Sequence, residues 1–164
     1  MYDSTMNKTA DTIKIEMPND ILLGCVRDTI RAGHTATIGV KGYSMRPFLE
    51  HCRDKVLLSA PRQVRLGDAV LAEITPGHYV LHRVIAMNGE ELVLMGDGNV
   101  RGCERCRLKD VAGVVSAYIY PHRRVSADHP TLCRAVRLWR RLLPVRRYLL
   151  LVYRALVKCH VIPR

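Results

Sequence analysis

Short segments in the middle of the chain alternate between apolar and polar residues, which is the period of a half-buried β-strand. Turn-forming residues separate these segments, and the dipeptide Asn88-Gly89 is typical of a two-residue hairpin turn. The predicted strands are residues 35–40, 54–59, 69–74, 79–87, 90–95 and 111–120. Because no helical pattern lies between them, the sequence predicts a mainly β fold, a curled antiparallel sheet or partly open barrel.

A helical pattern precedes the first of these strands. Residues 18–33 have an N-cap candidate in Asn19 and a stop signal in Gly33. The residues near one face of this helix are Ile21, Leu22, Cys25, Val26 and Ile30. Residues 1–17 are polar and irregular, which predicts a flexible arm. The predicted organisation is an arm over 1–17, a β domain with a leading helix over 18–121, and a tail over 122–164.

The tail has the period of helices rather than strands. Its two helical segments, 131–143 and 145–160, are separated by Pro144, which does not fit a helix interior. An apolar stripe recurs at steps of four and three residues: Leu138, Leu142, Val145, Leu149, Val152 and Leu156. Another side carries Arg140, Arg147, Arg154 and Lys158. The pattern predicts two basic amphipathic helices.

Most of the net charge of the protein lies in this tail. Residues 122–164 carry eleven Lys and Arg residues and the single acid Asp128, whereas the preceding residues are nearly neutral. Two interpretations stay open: residues 130–160 contact an anionic membrane surface peripherally, or the apolar stripe packs on the β domain. We do not expect a nucleic-acid partner, because no recognised DNA- or RNA-binding motif accompanies the charge.

Composition and hydropathy narrow the class of protein. With 48% hydrophobic residues the chain can form a core, which argues against disorder. We find no signal peptide and no apolar run of the roughly 18 residues that a membrane-spanning helix needs. The six cysteines are sparse, so we expect reduced thiols in a cytoplasmic protein. The CxxC pair Cys103 and Cys106 has no second pair, so we expect no metal, although His122 or Cys133 is available as a further ligand.

Ser44 and His82 are the candidates for chemistry. Ser44 lies in the stretch VKGYSMRPFL, between a predicted strand and Pro47, where a small hydroxyl has either a turn role or a chemical one. His82 is the imidazole within the apolar strand 79–87. Each residue by itself has an ordinary structural explanation. Together they form a candidate nucleophile and general base, because an imidazole near neutral pH can accept a hydroxyl proton.

The order of the short motifs around these residues resembles a known family. The stretches GYSMRPFL, GDAVLAEI, YVLHRVI and LMGDGN, within about residues 36–120, look like the boxes of the type I signal peptidases and the related repressor-type autoproteases. The resemblance implies the β fold of that family and a serine peptidase with Ser44 as nucleophile and His82 as base. Bacterial signal peptidases and the autoproteases have lysine at the base position. A histidine there resembles the endoplasmic-reticulum and archaeal branch.

The chain departs from that branch in its acids. The branch has paired acids shortly after its glycine-rich box, and the second is the third catalytic member. The matching positions here are Gly102 and Cys103. Asp97 is therefore our candidate to orient His82, with Asp110 as a weaker one, although Asp97 in GDGN also suits a loop turn held by its own carboxylate.

A second departure concerns the oxyanion. Gly42 stands where the bacterial enzymes have a serine that helps the oxyanion hole. We therefore expect backbone N–H groups around Gly42, Ser44 and Met45, that of Ser44 in particular, to hold the oxyanion and position the substrate. The N-terminal membrane anchor of the signal peptidases is also missing from the sequence before Ser44, which leaves the basic tail as the candidate for membrane contact.

These observations predict a serine endopeptidase that cleaves a peptide or protein substrate and needs no metal or organic cofactor. The alternative from another class is a catalytically inactive module that binds peptides or docks on a membrane, which the missing paired acids favour. A nucleic-acid-associated regulator driven by the charge of the tail is a further alternative. Autoproteolysis between Ala32 and Gly33 is disfavoured, because this bond closes a predicted helix and lies close to Ser44 in sequence.

Overall fold

The structure is a computed structural model that describes residues 19–159. Within this range the helices are α1 (Asn19–Arg31), α2 (Pro130–Arg141) and α3 (Arg146–Lys158). The strands are β1 (Ala36–Gly39), β2 (Lys55–Ser59), β3 (Ala69–Thr75), β4 (His78–Asn88), β5 (Glu91–Met95), β6 (Glu104–Arg107), β7 (Val111–Tyr120) and β8 (Arg123–Ser126). A short 3-10 turn, Leu108–Asp110, precedes β7. The arm predicted for residues 1–17 lies outside the described residues.

The strands of the described range form one antiparallel sheet. Their order is β1-β2-β7-β3-β4-β5-β6, and β8 pairs with the last residues of β7. The order ends in β1 and β6, so the sheet is not closed into a barrel. The prediction of a mainly antiparallel β fold with a leading helix and a helical tail is confirmed at this level.

The sequence does not predict two of the strands, β6 and β8. Both are rich in arginine and lack the alternation that marks a half-buried strand, which is common for short strands at the margin of a sheet. β6 forms because Glu91–Leu94 of β5 offer it a partner. β8 pairs with the end of β7 and carries the sheet past residue 121, where the predicted β domain ends.

The hairpin between β4 and β5 turns one residue later than predicted. Asn88 pairs with Glu91, so the two loop residues are Gly89 and Glu90 rather than Asn88 and Gly89. Gly89 has a φ of 59°, a left-handed conformation that glycine adopts without strain. Asn88 instead contributes to the end of the strand ladder.

Apolar side chains pack in two clusters on opposite faces of the central strands. Leu71 on β3 belongs to the cluster beneath α1, and its neighbour Val70 belongs to the other, because successive residues of a strand point to opposite faces. α1 buries Val26 and Ile30 in the first cluster, while Ile21 stays exposed. The apolar face predicted for α1 is therefore only partly buried.

The helices α2 and α3 pack through residues other than the predicted apolar stripe. Their buried residues are Val136, Arg146, Leu150 and Val157. Much of the stripe faces outward, and Leu138 and Val152 are 58% and 59% exposed. Pro144 lies in the break between the two helices, as predicted. No helix of residues 19–159 has the length and apolar character to cross a membrane.

A buried ion pair joins β4 to the loop after β5. Arg83 and Asp97 are both at most 2% exposed, and Nε and Nη2 of Arg83 donate to the two carboxylate oxygens at 2.8 and 2.6 Å. Nη1 donates to the carbonyl oxygen of Gly67 at 2.8 Å. Burial by itself lowers the pKa of Arg83, but the charge of Asp97 outweighs it, so the pKa stands above its usual value. The guanidinium therefore stays charged in the interior.

We expect Asp97→Asn to destabilise the fold, because it leaves the charge of Arg83 buried without a counter-ion. The expected loss in the free energy of unfolding, measured with a chemical denaturant, is about 3–5 kcal/mol. Asp128→Asn is the matched control: this carboxylate is exposed, and the change should stay within about 0.5 kcal/mol. Equal unfolding free energies for wild type and Asp97→Asn would contradict the role given to the pair.

Candidate active site

Ser44 lies between β1 and β2 in a turn that its neighbours hold in place. Met45 and Leu49 are buried in the core, and the N–H of Leu49 donates to the carbonyl oxygen of Met45 at 3.0 Å. On the other side, the N–H of Gly42 donates to Nδ1 of His51 at 2.9 Å. The backbone is therefore fixed on both sides of Ser44, which itself is half-buried.

The loop after β5, residues 96–99, lies directly against the backbone of Ser44. The N–H of Gly98 donates to the carbonyl oxygen of Ser44 at 2.7 Å. A Cβ atom added at Gly96 would stand 2.5 Å from that same oxygen and 3.0 Å from the Cβ of Ser44. Because this distance is shorter than any ordinary contact, the approach of the two segments requires glycine at position 96.

His82 is a buried residue of β4, and its ring contacts a carboxylate. Nδ1 lies 2.8 Å from Oε2 of Glu104 on β6. An ionised carboxylate accepts hydrogen bonds and cannot donate, so Nδ1 carries the proton in this contact. The neutral imidazole then has its lone pair on Nε2, which is the tautomer that a general base needs.

The carboxylate beside His82 is Glu104 and not Asp97, so the role expected for Asp97 is corrected. Both carboxylate oxygens of Asp97 accept hydrogen bonds from Arg83, the residue after His82 on the strand. The carboxylate is therefore paired with Arg83 and not with the imidazole. Asp110, the weaker candidate, accepts a backbone N–H in its own turn at 2.8 Å. Neither acid is found to contact the imidazole.

The strand register explains how Glu104 reaches His82 across β5. Leu94 on β5 pairs with Val84 on β4 and with Glu104 on β6. Residues two apart on a strand share a face, so His82 and Glu104 point to the same face of the sheet. Sequence reasoning missed Glu104 because β6 has no alternating pattern. One feature of the sequence could have indicated Glu104: it directly follows Cys103, the position that matches the second of the paired acids.

Ser44 and His82 line the same cleft, which has a volume of about 730 Å³. α1, β1, the turn of Ser44 and the first residues of β4 form its walls. The apolar side chains that line it include Leu23, Val26, Ile38, Leu71 and Leu81. The structure therefore brings the predicted nucleophile and base to one mostly apolar depression.

The cleft is also bordered by backbone with free edges. In the described part of the chain β1 pairs with β2 on one edge only, and its residues 37–39 line the cleft. β5 pairs with β4 from Arg83 onward, so residues 78–82 of β4 have β3 on one edge and no strand from residues 19–159 on the other. Such edges are the usual partners of an extended peptide.

The N–H groups expected to hold an oxyanion are not equivalent. That of Gly42 is already bonded to His51, which corrects the expectation for Gly42. Within residues 19–159 no acceptor is found for the N–H of Ser44 or of Met45. The side chain of Met45 is 1% exposed and belongs to the core, so it forms the floor of the cleft.

The CxxC pair does not come together with other metal-binding side chains. Among the residues that the structure describes, no group of three or more His, Cys, Asp or Glu residues is arranged to hold a metal ion. Cys103 is exposed and Cys106 is buried on β6. Burial, with Asp110 nearby, raises the pKa of Cys106 to about 11, so this thiol stays protonated at neutral pH.

We expect Gly96→Ala to push the loop of residues 96–99 away from Ser44, because the new Cβ would overlap its carbonyl oxygen. Overpacking of this kind costs about 1–3 kcal/mol of unfolding free energy. Gly24→Ala on α1 is the control, since a Cβ there meets nothing within 4 Å, and it should stabilise the helix by about 0.5–1 kcal/mol. Denaturant unfolding of both variants measures the difference; a Gly96→Ala protein as stable as wild type would refute the close approach.

Comparison with models of protein families, with curated proteins and with solved structures finds no match to this chain. The resemblance of the motifs around Ser44 and His82 to the signal peptidases therefore stays a prediction. The structure shows the geometry of the site: Ser44 and His82 line one cleft, and the carboxylate of Glu104 contacts the imidazole.

Proposed function

We propose that this chain is a serine endopeptidase in which Ser44 is the nucleophile, His82 the general base and Glu104 the group that orients the base. The observation that carries the proposal is the contact between Nδ1 of His82 and Glu104 at 2.8 Å, combined with the position of Ser44 and His82 on one cleft. A carboxylate that holds Nδ1–H leaves Nε2 as the nitrogen that can accept a proton from the hydroxyl.

The reaction proceeds in two halves. Oγ of Ser44 attacks the carbonyl carbon of the scissile bond while its proton moves to Nε2 of His82. The imidazolium returns this proton to the leaving amine as the C–N bond breaks, which leaves an acyl group on Ser44. Water then attacks the ester, His82 takes the proton of the water, and its return to Oγ releases the carboxylic acid product.

The negative charge on the tetrahedral oxygen needs a donor close to the nucleophile. The N–H of Ser44 serves this role in the proposal, because that of Gly42 is bonded to His51. An oxyanion donor of this kind is worth about 10²–10³ in rate. The chemistry is complete with these side chains and one backbone amide, so the proposal requires no metal or organic cofactor.

The substrate in this proposal is an extended peptide or protein segment. The free edges of β1 and of residues 78–82 border the cleft, so a strand lying between them can form backbone hydrogen bonds on either side. The apolar lining between α1 and β4 favours apolar side chains on the segment. The fold of the signal-peptidase type is part of the same proposal.

We expect purified wild-type protein to produce new fragments from a mixture of random peptides, detected by mass spectrometry. Ser44→Ala and His82→Gln should abolish these fragments, because each removes a reacting group. Glu104→Gln should lower kcat by about 10³–10⁴-fold, since an amide can hold the wrong tautomer of the ring.

The matched control is Asp110→Asn, which removes a carboxylate that bonds the backbone of its own turn and not His82, and it should leave cleavage unchanged. Circular dichroism of each variant checks that the fold is kept. Equal cleavage by wild type, Ser44→Ala and His82→Gln would rule out this site. A wild-type protein that binds peptides in the cleft without cutting them would favour the inactive binding module instead.

A further inference from the structure

The helix α3 carries apolar residues on two opposite sides. Its inward side buries Leu150 and Val157 against the rest of the protein. Its outward side, which we call the outer face, consists of Tyr148, Leu149, Leu151, Val152 and Leu156, and Leu151 and Val152 are 57% and 59% exposed. A surface helix of a globular protein normally has polar residues at these positions. The outer face therefore indicates a binding surface rather than a solvated one.

Cations flank the outer face on one side. At 100° per residue, Arg147, Arg154 and Lys158 lie within one narrow sector next to Leu151, and all three are exposed. α3 contains no acidic residue, and no Asp or Glu follows Asp128 in the sequence. The surface is thus apolar in the middle and positive along one margin, and α3 itself has no anion to neutralise these cations.

The combination of exposed apolar residues and neighbouring cations favours one class of binding partner over others. A second copy of the chain would cover the apolar residues but would add three more cations and no acidic residue from its own α3, so the charge would stay without a counter-ion. A nucleic acid would neutralise the cations and leave the apolar residues in water. A bilayer with anionic headgroups meets both requirements, because leucine side chains enter the boundary of the acyl chains while arginine and lysine stay among the phosphates.

We propose that α3 binds anionic lipid membranes by lying in the plane of the surface, with the outer face buried among the lipids. Hydrogen bonds attach the inward side of α3 to the rest of the protein. The hydroxyl of Tyr153 donates to Glu50 at 3.2 Å, and Arg146 donates to the carbonyl oxygens of Asn99 and Trp139, each at 3.2 Å. Because these contacts use the inward side of α3, the outer face can enter a membrane without unpacking the helix.

The test is flotation of the full-length protein with vesicles of phosphatidylcholine alone and of phosphatidylcholine with one-third phosphatidylglycerol. Wild type should float with the anionic vesicles and stay behind with the neutral ones. The pair Arg154→Gln and Lys158→Gln should weaken partitioning about 30-fold, the product of two basic residues near an anionic surface. The pair Leu151→Gln and Val152→Gln should weaken it at least about tenfold through lost apolar insertion.

Two control pairs make the same chemical changes elsewhere on the surface. Arg105→Gln with Arg107→Gln removes two exposed cations of β6, and Ile21→Gln with Leu66→Gln removes two apolar residues that are 51% and 52% exposed. Both should float like wild type. The proposal is overturned if wild type ignores anionic vesicles, or if the control pairs lose binding as strongly as the α3 pairs. Sedimentation that shows a dimer broken by Leu151→Gln with Val152→Gln would assign the outer face to a second copy instead.

Discussion

The arrangement of the site depends on the buried ion pair between Arg83 and Asp97. The pair draws the loop of residues 96–99 onto the sheet, and the amide of Gly98 then reaches the carbonyl oxygen of Ser44. The same loop contacts α2 of the tail, because Nε1 of Trp139 donates to the carbonyl oxygen of Asp97 at 2.9 Å. One charge pair in the interior thus brings β4, the turn of Ser44 and α2 to a common point.

Neighbouring residues on β4 have separate tasks because a strand alternates its faces. Arg83 points into the interior toward Tyr118 and Asp97, while His82 points to the opposite face, where Glu104 reaches it. A shift of the register by one residue would exchange the two side chains and place the imidazole against the buried carboxylate. The packing of Arg83 therefore also fixes the direction of His82.

The same alternation sets the limit of what could be predicted from sequence. Strands with a continuous apolar or an alternating pattern, such as β3 and β5, were predicted from that pattern, and Ser44 and His82 from residue type and motif order. Glu104 was not, because β6 is an edge strand whose polar residues follow no period and whose position is decided by its pairing with β5. Asp97 was assigned to His82 because sequence order does not reveal which of two adjacent side chains faces a carboxylate.

The basic tail contains cations that face the interior and cations that face solvent, and composition alone does not distinguish them. Arg140 and Arg146 turn inward and donate to the carbonyl oxygens of Ile85 and Asn99, and burial lowers the pKa of both. Arg154 and Lys158 turn outward beside the outer face of α3. The inward cations attach the helices to the strand and loop that carry the site, so α2 and α3 belong to the folded body. Only the outward cations are available to an anionic partner, and they stand next to the exposed leucines because the inward side of α3 is already occupied.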